Sequence, residues 1–242
     1  MQLKKYRKKA QSFLVEGTKS VLELLQGSFE VTHLVATEPF LMQNEEVAAK
    51  LSDKLDIVTE KQLNAMSALK TNQSVLAVAR CRSNEPLGLN ENEYAIALDQ
   101  ISDPGNLGTI IRTADWYGIY KLICSQDCAD LYHPKVVHSS MGSFTRVQVY
   151  YTDLHSFLEE YPVVYGAALK GENVHTTKFG NGGILLIGNE TRGISANLEE
   201  LISKKVSIPR LGGAESLNAA IATAVMCDNI FRITPEQSPG LL

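Results

Sequence analysis

The sequence predicts an α/β protein, because short runs of β-branched and apolar residues alternate with amphipathic segments along the chain. Glycine, proline and asparagine separate these segments. The 242 residues are 44% hydrophobic and 21% charged, which is the composition of a globular protein with a sizeable core. Disordered, collagen-like and disulfide-scaffold proteins are thereby excluded.

Basic residues are concentrated in the first third of the chain. The formal net charge is −4, but residues 1–82 carry a net charge of +3 and residues 83–242 a net charge of −7. Because a polyanion is attracted by local positive charge, the first part of the chain is the expected contact for a nucleic acid.

The cysteine and hydropathy patterns indicate a reducing compartment. The four cysteines have neither the density nor the spacing of a disulfide framework. Cys124 and Cys128 lack a matching second pair and the five histidines lack ligand spacing, so we predict no metal site. The N-terminus has no signal-peptide core, and no apolar run reaches the roughly 18 residues of a membrane span. We therefore expect a soluble, cytoplasmic protein that does not contact membranes.

In the first part of the chain, local patterns predict three strands and three helices. The strands are expected at residues 31–37, 56–59 and 74–80, and the helices at residues 18–25, 39–52 and 60–69. Gly27 is expected to end the first helix and Thr59 to cap the third. Residues 81–93 carry proline, glycine, asparagine and charge without an apolar period, which predicts a linker between domains at residues 1–85 and 92–242.

The second part of the chain continues the alternation. A helix is expected at residues 104–118, where a proline opens it and Gly118 ends it. A last helix is expected at residues 216–232, capped by Glu215 or Ser216. Strands are expected at residues 94–99, 121–124, 147–150, 163–169, 183–187 and 206–208.

Three loops that follow predicted strands are candidates for chemistry, because open α/β sheets bind ligands at the carboxyl ends of their strands. Residues 103–112 form a glycine-rich turn that opens a helix and suits an anion, although a simple cap with a surface arginine explains it equally. Residues 187–195 place polar side chains between two glycines, where they face a ligand or form a turn with a Glu190–Arg192 surface pair. Residues 208–222 join a strand end to a helix through two glycines. The phosphate-loop and dinucleotide fingerprints are absent.

Together the three loops resemble the SpoU/TrmH branch of the SPOUT RNA ribose 2′-O-methyltransferases over residues 94–232. Residues 140–144 also resemble a small-residue segment of that family. The family motif N-x-G-x-x-x-R matches Asn106, Gly108 and Arg112. The motif G-[NS]-E-x-x-G matches Gly188, Asn189, Glu190 and Gly193. The motif I-P with a later S-L-N matches Ile208, Pro209, Ser216, Leu217 and Asn218.

The start of the chain resembles a second family module. Residues 7–17 are similar to part of the small ribosomal-protein-like (L30e-like) α/β substrate-binding domain that many members carry ahead of the catalytic domain. The basic cluster suits phosphate contacts, and its alternative is a solvated charged terminus. The expected RNA contacts are Lys4, Lys5, Arg7, Lys8, Lys9 and Arg112.

The resemblance implies a parallel sheet with a deep trefoil knot, a homodimer, S-adenosylmethionine as cofactor, and methyl transfer to a ribose 2′-hydroxyl of RNA. Because a guanidinium is always charged, we expect Arg112 to hold an RNA phosphate and to stabilise the developing alkoxide, with the phosphate available as proton acceptor. The implied catalytic residues are Arg112, Asn106, Glu190 and Asn218, and the implied cofactor residues are Gly188, Asn189, Ile208, Ser216 and Leu217.

Ribosomal RNA is the expected substrate. The chain has an additional N-terminal domain and a nearly neutral tail at residues 234–242, whereas members that act on tRNA often use basic terminal helices. The alternatives are a tRNA ribose 2′-O-methyltransferase and a non-catalytic RNA-binding protein that retains the fold. Arg112 and Glu190 argue against the second alternative, because a protein that only binds RNA has no need of them.

Overall fold

The computed structural model describes residues 3–67 and 74–232, and within them the chain forms two β-sheets that are both packed against helices. The α/β class predicted from the sequence is confirmed. The tail at residues 234–242, from which the substrate was partly inferred, lies outside the described residues.

The first sheet has four strands in the order β1-β4-β2-β3. β4 pairs antiparallel with both β1 and β2, and β3 adds to β2 in parallel. The elements of this part are α1 (Lys4–Ala10), β1 (Ser12–Glu16), α2 (Thr18–Gln26), β2 (Val31–Ala36), α3 (Glu38–Gln43), α4 (Glu45–Lys50), β3 (Leu55–Ile57), α5 (Glu60–Met66) and β4 (Val75–Arg80).

The caps predicted in this part are present, but one predicted helix is broken. Thr59 caps α5 in a capping box with Gln62, and Gly27 ends α2 by donating to the carbonyls of its last turn. The helix expected at residues 39–52 is instead α3 and α4, because the backbone of Asn44 leaves the helical region at φ −140°. The Asn44 side chain satisfies the freed Phe40 carbonyl at 2.8 Å. The end of the helix expected at residues 60–69 lies outside the described residues.

The second sheet has six strands in the order β10-β8-β9-β5-β6-β7, and all its pairs are parallel. β5 lies between β9 and β6 and is buried throughout. The elements are β5 (Tyr94–Leu98), α6 (Pro104–Trp116), β6 (Lys121–Cys124), α7 (Pro134–Ser139), β7 (Gln148–Tyr151), α8 (Leu154–Leu158), β8 (Val164–Asn173), β9 (Gly183–Ile187), α9 (Ala196–Glu199), β10 (Lys204–Ser207) and α10 (Ala219–Ile230).

An aromatic cluster joins the two sheets. Phe13 of β1 packs against Phe29, Tyr132 and Phe144, with ring centroids 4.6–5.8 Å apart. Beside the cluster, the buried Arg7 of α1 makes an ion pair with Asp130 at 2.7 Å. The hydrophobic core is therefore continuous across the two sheets.

The segment expected to be a linker contains no helix or strand, but it is held against the second sheet. The backbone N–H of Arg82 donates to the hydroxyl of Tyr132 at 2.8 Å, and Asn84 exchanges two hydrogen bonds with the backbone of Tyr151. It therefore follows the surface of the second sheet along a defined path.

Cys124 and Cys128 are both buried. The Cys128 thiol donates to the carbonyl of Leu98 at 3.2 Å and accepts from the backbone N–H of Ile101. In the described ranges no group of three His, Cys, Asp or Glu side chains is placed to hold a metal ion. No helix there is long and apolar enough to cross a membrane.

Candidate active site

The first of the three candidate loops opens α6 with a capped turn. The Asp103 carboxylate accepts from the backbone N–H of Asn106 at 2.9 Å and forms an ion pair with Lys135 at 3.0 Å. The Asn106 N–H first, and then the Lys135 ammonium, hold the pKa of Asp103 below its ordinary value of 3.8. This cap fixes the start of α6 and with it the position of the Asn106 side chain.

This cap predicts an acid-dependent contribution to stability. A carboxyl group whose pKa is lower in the folded than in the unfolded protein stabilises the fold at pH values above its unfolded pKa. This contribution is lost as the pH falls through the folded pKa. Asp103→Asn keeps a good cap but does not titrate. We expect the difference in unfolding free energy between wild type and Asp103→Asn to be constant above about pH 3.8 and to shrink as the pH falls below it, as followed by urea unfolding from pH 7 downwards. A difference that is constant with pH would contradict this assignment.

A polar cluster connects all three loops. The Asn106 side-chain amide donates to the carboxylate of Glu190 in a very short contact. The Asn218 amide in turn donates to the Asn106 carbonyl oxygen at 2.8 Å. Glu190 accepts and Asn218 donates, so the orientation of the Asn106 amide is determined from both sides. The structure thus brings together three of the four residues that the resemblance implies to be catalytic.

Asn218 also begins α10. Its side-chain oxygen accepts from the backbone N–H groups of Ala220 and Ile221. The prediction that Glu215 or Ser216 caps this helix is wrong, because the chain becomes helical only at Ala219. One side chain therefore performs two tasks, since its oxygen caps the helix and its nitrogen orients Asn106.

These two tasks are separable by mutation. Asn218→Asp keeps the capping oxygen but places a second carboxylate beside Asn106. We expect unchanged stability in chemical denaturation and a loss of about 10- to 100-fold in the methyl transfer to RNA that the resemblance implies. Asn218→Ala removes the cap as well and is expected to cost a further ~1 kcal/mol of stability. Equal activity losses without any difference in stability would show that the cap is unimportant.

The second loop closes on itself directly after β9. Asn189 and Gly193 exchange two backbone hydrogen bonds of 3.0 and 2.8 Å, and the Asn189 side-chain oxygen accepts from the N–H groups of Thr191 and Arg192. A Cβ atom on Gly188 would lie 2.3 Å from the backbone of Gly193. Only glycine allows this closure.

A cavity of about 860 Å³ lies beside this loop. β8, the two loops at residues 187–194 and 208–217, and α10 surround it. The β8 wall and Met226 of α10 were not predicted from the sequence, because neither carries a motif. The cavity is lined by each of the five implied cofactor residues: Gly188, Asn189, Ile208, Ser216 and Leu217.

Arg112 lies apart from the polar cluster. Its side chain is exposed, and no hydrogen bond or ion pair holds it within residues 3–67 and 74–232. Arg112 lies six positions after Asn106, which places the two side chains about 120° apart around α6 and about 9 Å apart along its axis. Within one chain, Arg112 therefore does not join Asn106, Glu190 and Asn218.

The basic residues of α1 divide into two groups. Lys4, Lys5, Lys8 and Lys9 are exposed, and they form the basic face of α1. Arg7 was expected to contact RNA, but it is 3% exposed and its guanidinium is turned to Asp130. We therefore exclude Arg7 from the RNA contacts, because it ties α1 to the second sheet instead.

Comparison with known proteins identifies the two parts of the chain. A family model described as the SpoU rRNA Methylase family matches residues 93–228, and a model of the MRM3-like substrate binding domain matches residues 1–77. The structure is similar to that of the AdoMet-bound rRNA methyltransferase from Sinorhizobium meliloti, with a TM-score of 0.85, 31% identity and coverage of 96% of this chain and 91% of that one.

The curated relatives include proteins named for ribosomal RNA. The 23S rRNA (guanosine(2553)-2′-O)-methyltransferase RlmP of Bacillus subtilis (strain 168) is 29% identical over 228 residues, which cover 92% of this chain and 90% of that protein. The 23S rRNA (uridine(2479)-2′-O)-methyltransferase of Streptomyces viridochromogenes is 35% identical over 154 residues, which cover 59% of this chain and about half (54%) of that protein. The chain belongs to the SpoU rRNA methylase family.

Proposed function

We propose that this protein transfers a methyl group from S-adenosylmethionine to a ribose 2′-hydroxyl of RNA, and that the RNA is ribosomal. The observation that carries the proposal is the cavity at the carboxyl edge of the second sheet, which lies beside the Asn106–Glu190–Asn218 cluster and shares Glu190 with it. Both curated relatives described above are named for 23S rRNA, but for different nucleosides. Their names therefore support the RNA class and leave the base undecided.

The cavity fits the cofactor in size and in chemistry. Its volume of about 860 Å³ is in the range of cofactor sites, and its walls combine apolar side chains with backbone groups. The turn at Gly188 is closed tightly against Gly193 and Ile194, and all three residues form part of the cavity wall. When bound, S-adenosylmethionine supplies a methyl group that is electrophilic because it is attached to a sulfonium. Gly188, Ile208 and Leu217 are placed to hold this cofactor by backbone groups and apolar contact.

The chain's own residues position the acceptor hydroxyl. Asn106, held by Glu190 and Asn218, presents a fixed amide next to Glu190, which lines the cavity. Such alignment of a nucleophile removes an entropic part of the barrier. During transfer the 2′-oxygen bonds to the methyl carbon, the carbon–sulfur bond breaks with its electrons going to sulfur, and the hydroxyl proton leaves. A charged Arg112 stabilises the developing alkoxide and binds the RNA phosphate that can take this proton.

A homodimer explains the position of Arg112. The arginine is exposed and separated from its own polar cluster, so it is available to the site of a second copy. Trp116 on α6 and Ile221 on α10 are exposed apolar side chains that are suited to such an interface. Isologous contact through this face would give two composite sites per dimer. The proposed knot rests on the family resemblance, and the return of α10 across the sheet to pack on α6 supports it.

The two parts of the chain have different roles in this proposal. We place RNA capture in residues 1–85, where Lys4, Lys5, Lys8 and Lys9 form the basic face of α1, and catalysis in residues 92–242. Phosphate contacts by these lysines would make RNA affinity strongly dependent on salt. A cytoplasmic location belongs to the same proposal, since ribosomal RNA is found there.

Calorimetry tests the cofactor site. We expect S-adenosylmethionine and its demethylated product to bind the wild type, and Leu217→Trp to abolish binding by filling the cavity that Leu217 lines. Tyr120→Trp is the matched control. Tyr120 is exposed, lies just before the amino end of β6 and does not line the cavity. Failure of the folded, ligand-free wild type to bind either compound would favour the non-catalytic RNA-binding alternative. Methylation of tRNA but not of ribosomal RNA would favour the tRNA alternative.

A further inference from the structure

A second cavity lies next to the cofactor cavity. It measures about 460 Å³ and lies at the carboxyl ends of β5, β6 and β9, which is where open α/β sheets bind ligands. Unlike the larger cavity, it has no apolar side chain in its lining. The lining residues are Gln100, Ser102, Asp127, Asn189, Thr191 and Arg192.

The two cavities share one wall. Asn189, Thr191 and Arg192 line both of them, so only the closed turn after β9 separates the two spaces. The same turn carries Glu190, which holds Asn106. A group in the second cavity therefore lies beside both the methyl donor and the residues that position the acceptor.

The wall of the second cavity is held firmly. Gln100 adopts a left-handed backbone conformation at φ 56°, which is strained for a residue with a side chain. Its backbone N–H donates to Ser125 at 2.9 Å, its carbonyl accepts from Asn189 at 3.0 Å, and its side chain donates to Ser195 at 3.2 Å. Strain that is held by three hydrogen bonds on different elements is typical of functional sites.

Two charged groups in this cavity are without partners. Asp127 and Arg192 are exposed, and in the described part of the chain neither side chain has a hydrogen bond or an ion pair. They line the same cavity without contacting each other, although their charges are opposite. A ligand that offers donors on one side and acceptors on the other would bridge them.

We propose that the second cavity holds the base of the nucleotide that is methylated, and that this base is guanine. Of the four RNA bases, guanine alone has two adjacent donors, N1–H and the N2 amino group, and two adjacent acceptors, O6 and N7. The donors match the two oxygens of the Asp127 carboxylate, and the acceptors match the fork of the Arg192 guanidinium. This inference rests on the proposed function and adds a base specificity to it.

The first test identifies the methylated nucleoside. Wild-type protein is incubated with radiolabelled S-adenosylmethionine and 23S rRNA transcript, and the RNA is digested to nucleosides. We expect 2′-O-methylguanosine. Label in uridine, cytidine or adenosine would overturn the guanine assignment and leave the proposed function intact. No label in any RNA, from a protein that binds the cofactor, would instead contradict the proposed function.

The second test separates base recognition from cofactor binding. Replacing the target guanosine by inosine removes the N2 amino group, and we expect a loss of about 10- to 100-fold in kcat/KM for the wild type. Asp127→Asn should lower kcat/KM for guanosine by a similar factor and no longer discriminate against inosine. Arg192→Lys keeps the charge but loses the fork, and should lower kcat/KM for guanosine in the same range.

Two controls make these results decisive. Glu160→Gln removes an exposed carboxylate outside both cavities and should leave methylation unchanged. The affinity for S-adenosylmethionine, measured by calorimetry, should stay within about twofold of wild type in Asp127→Asn, since Asp127 lines the second cavity and does not line the cofactor cavity. Loss of cofactor affinity parallel to the loss of methylation would show that the second cavity belongs to the cofactor site, which would overturn the proposal. Unaltered discrimination against inosine in Asp127→Asn would do the same.

Discussion

Replacing Arg112 by lysine is expected to lower the single-turnover rate of methyl transfer about 100- to 1000-fold while most RNA binding is retained. Lysine keeps the positive charge that attracts a phosphate, but it has no planar pair of donors with which to hold the phosphate and the developing alkoxide together. The loss therefore falls on the rate and not on affinity. Rapid-mixing single-turnover assays and filter binding measure the two quantities.

The matched control for this variant is Arg232→Lys, at an exposed arginine just after α10. It should behave as wild type in both assays. A near-normal single-turnover rate for Arg112→Lys would refute the assigned role of the guanidinium. Equal losses in rate and in RNA affinity would show that Arg112 only binds a phosphate and does not act on the reacting hydroxyl.

Mixing two inactive variants tests whether Arg112 acts across a dimer. Arg112→Ala and Glu190→Ala each disable every site of their own dimers. A heterodimer of the two has one intact composite site if the arginine comes from the partner, so random exchange should restore about a quarter of the wild-type activity. No recovery in subunits shown to exchange would assign Arg112 to its own site.

Replacing Gly188 by alanine is expected to be the most damaging single-methyl change in the chain's second part. The added Cβ would lie 2.3–2.4 Å from backbone atoms of Gly193 and Ile194, which cannot yield as a side-chain tip would. The turn must open, which we expect to cost about 1–3 kcal/mol of stability. A displacement of about 1 Å at this turn is expected to lower the methyl-transfer rate about 100-fold.

Gly213→Ala provides the matched control. Gly213 does not line the cavity, and a Cβ there would contact no atom within 4 Å. Denaturant unfolding, calorimetry with S-adenosylmethionine and methylation assays should therefore detect a change in Gly188→Ala and none in Gly213→Ala. Wild-type behaviour of Gly188→Ala would show that the turn after β9 is free to adjust.

Local signals predicted much of the fold. Thr59 and Gly27 are residue types that favour a helix start and a helix end, respectively. The buried strands of the second sheet are continuous apolar runs. Helices α7, α8 and α9 were missed, because four to six residues are too few to show a helical period. Helix α1 was missed because it carries charge on most of its surface.

The site was predicted where it depends on strand ends and less well where it depends on packing. Parallel strands bring their carboxyl ends to one edge, so the meeting of Asn106, Glu190 and Asn218 followed from their position in the sequence. The burial of Arg7 against Asp130, 123 residues away, has no local signal. The second cavity, whose lining is entirely polar, also has no local signal in the sequence, since Asp127 belongs to no motif.

The aromatic cluster around Phe13 and the Arg7–Asp130 pair pack the two sheets directly against each other. We expect this junction to hold the proposed RNA-binding face of α1 at a constant span from the proposed methylation site. An RNA would be selected by whether its folded backbone bridges that span. Two domains joined by a flexible linker would instead bind RNA in many conformations. Correctly folded RNA would thus be distinguished from misfolded RNA of identical sequence by geometry alone.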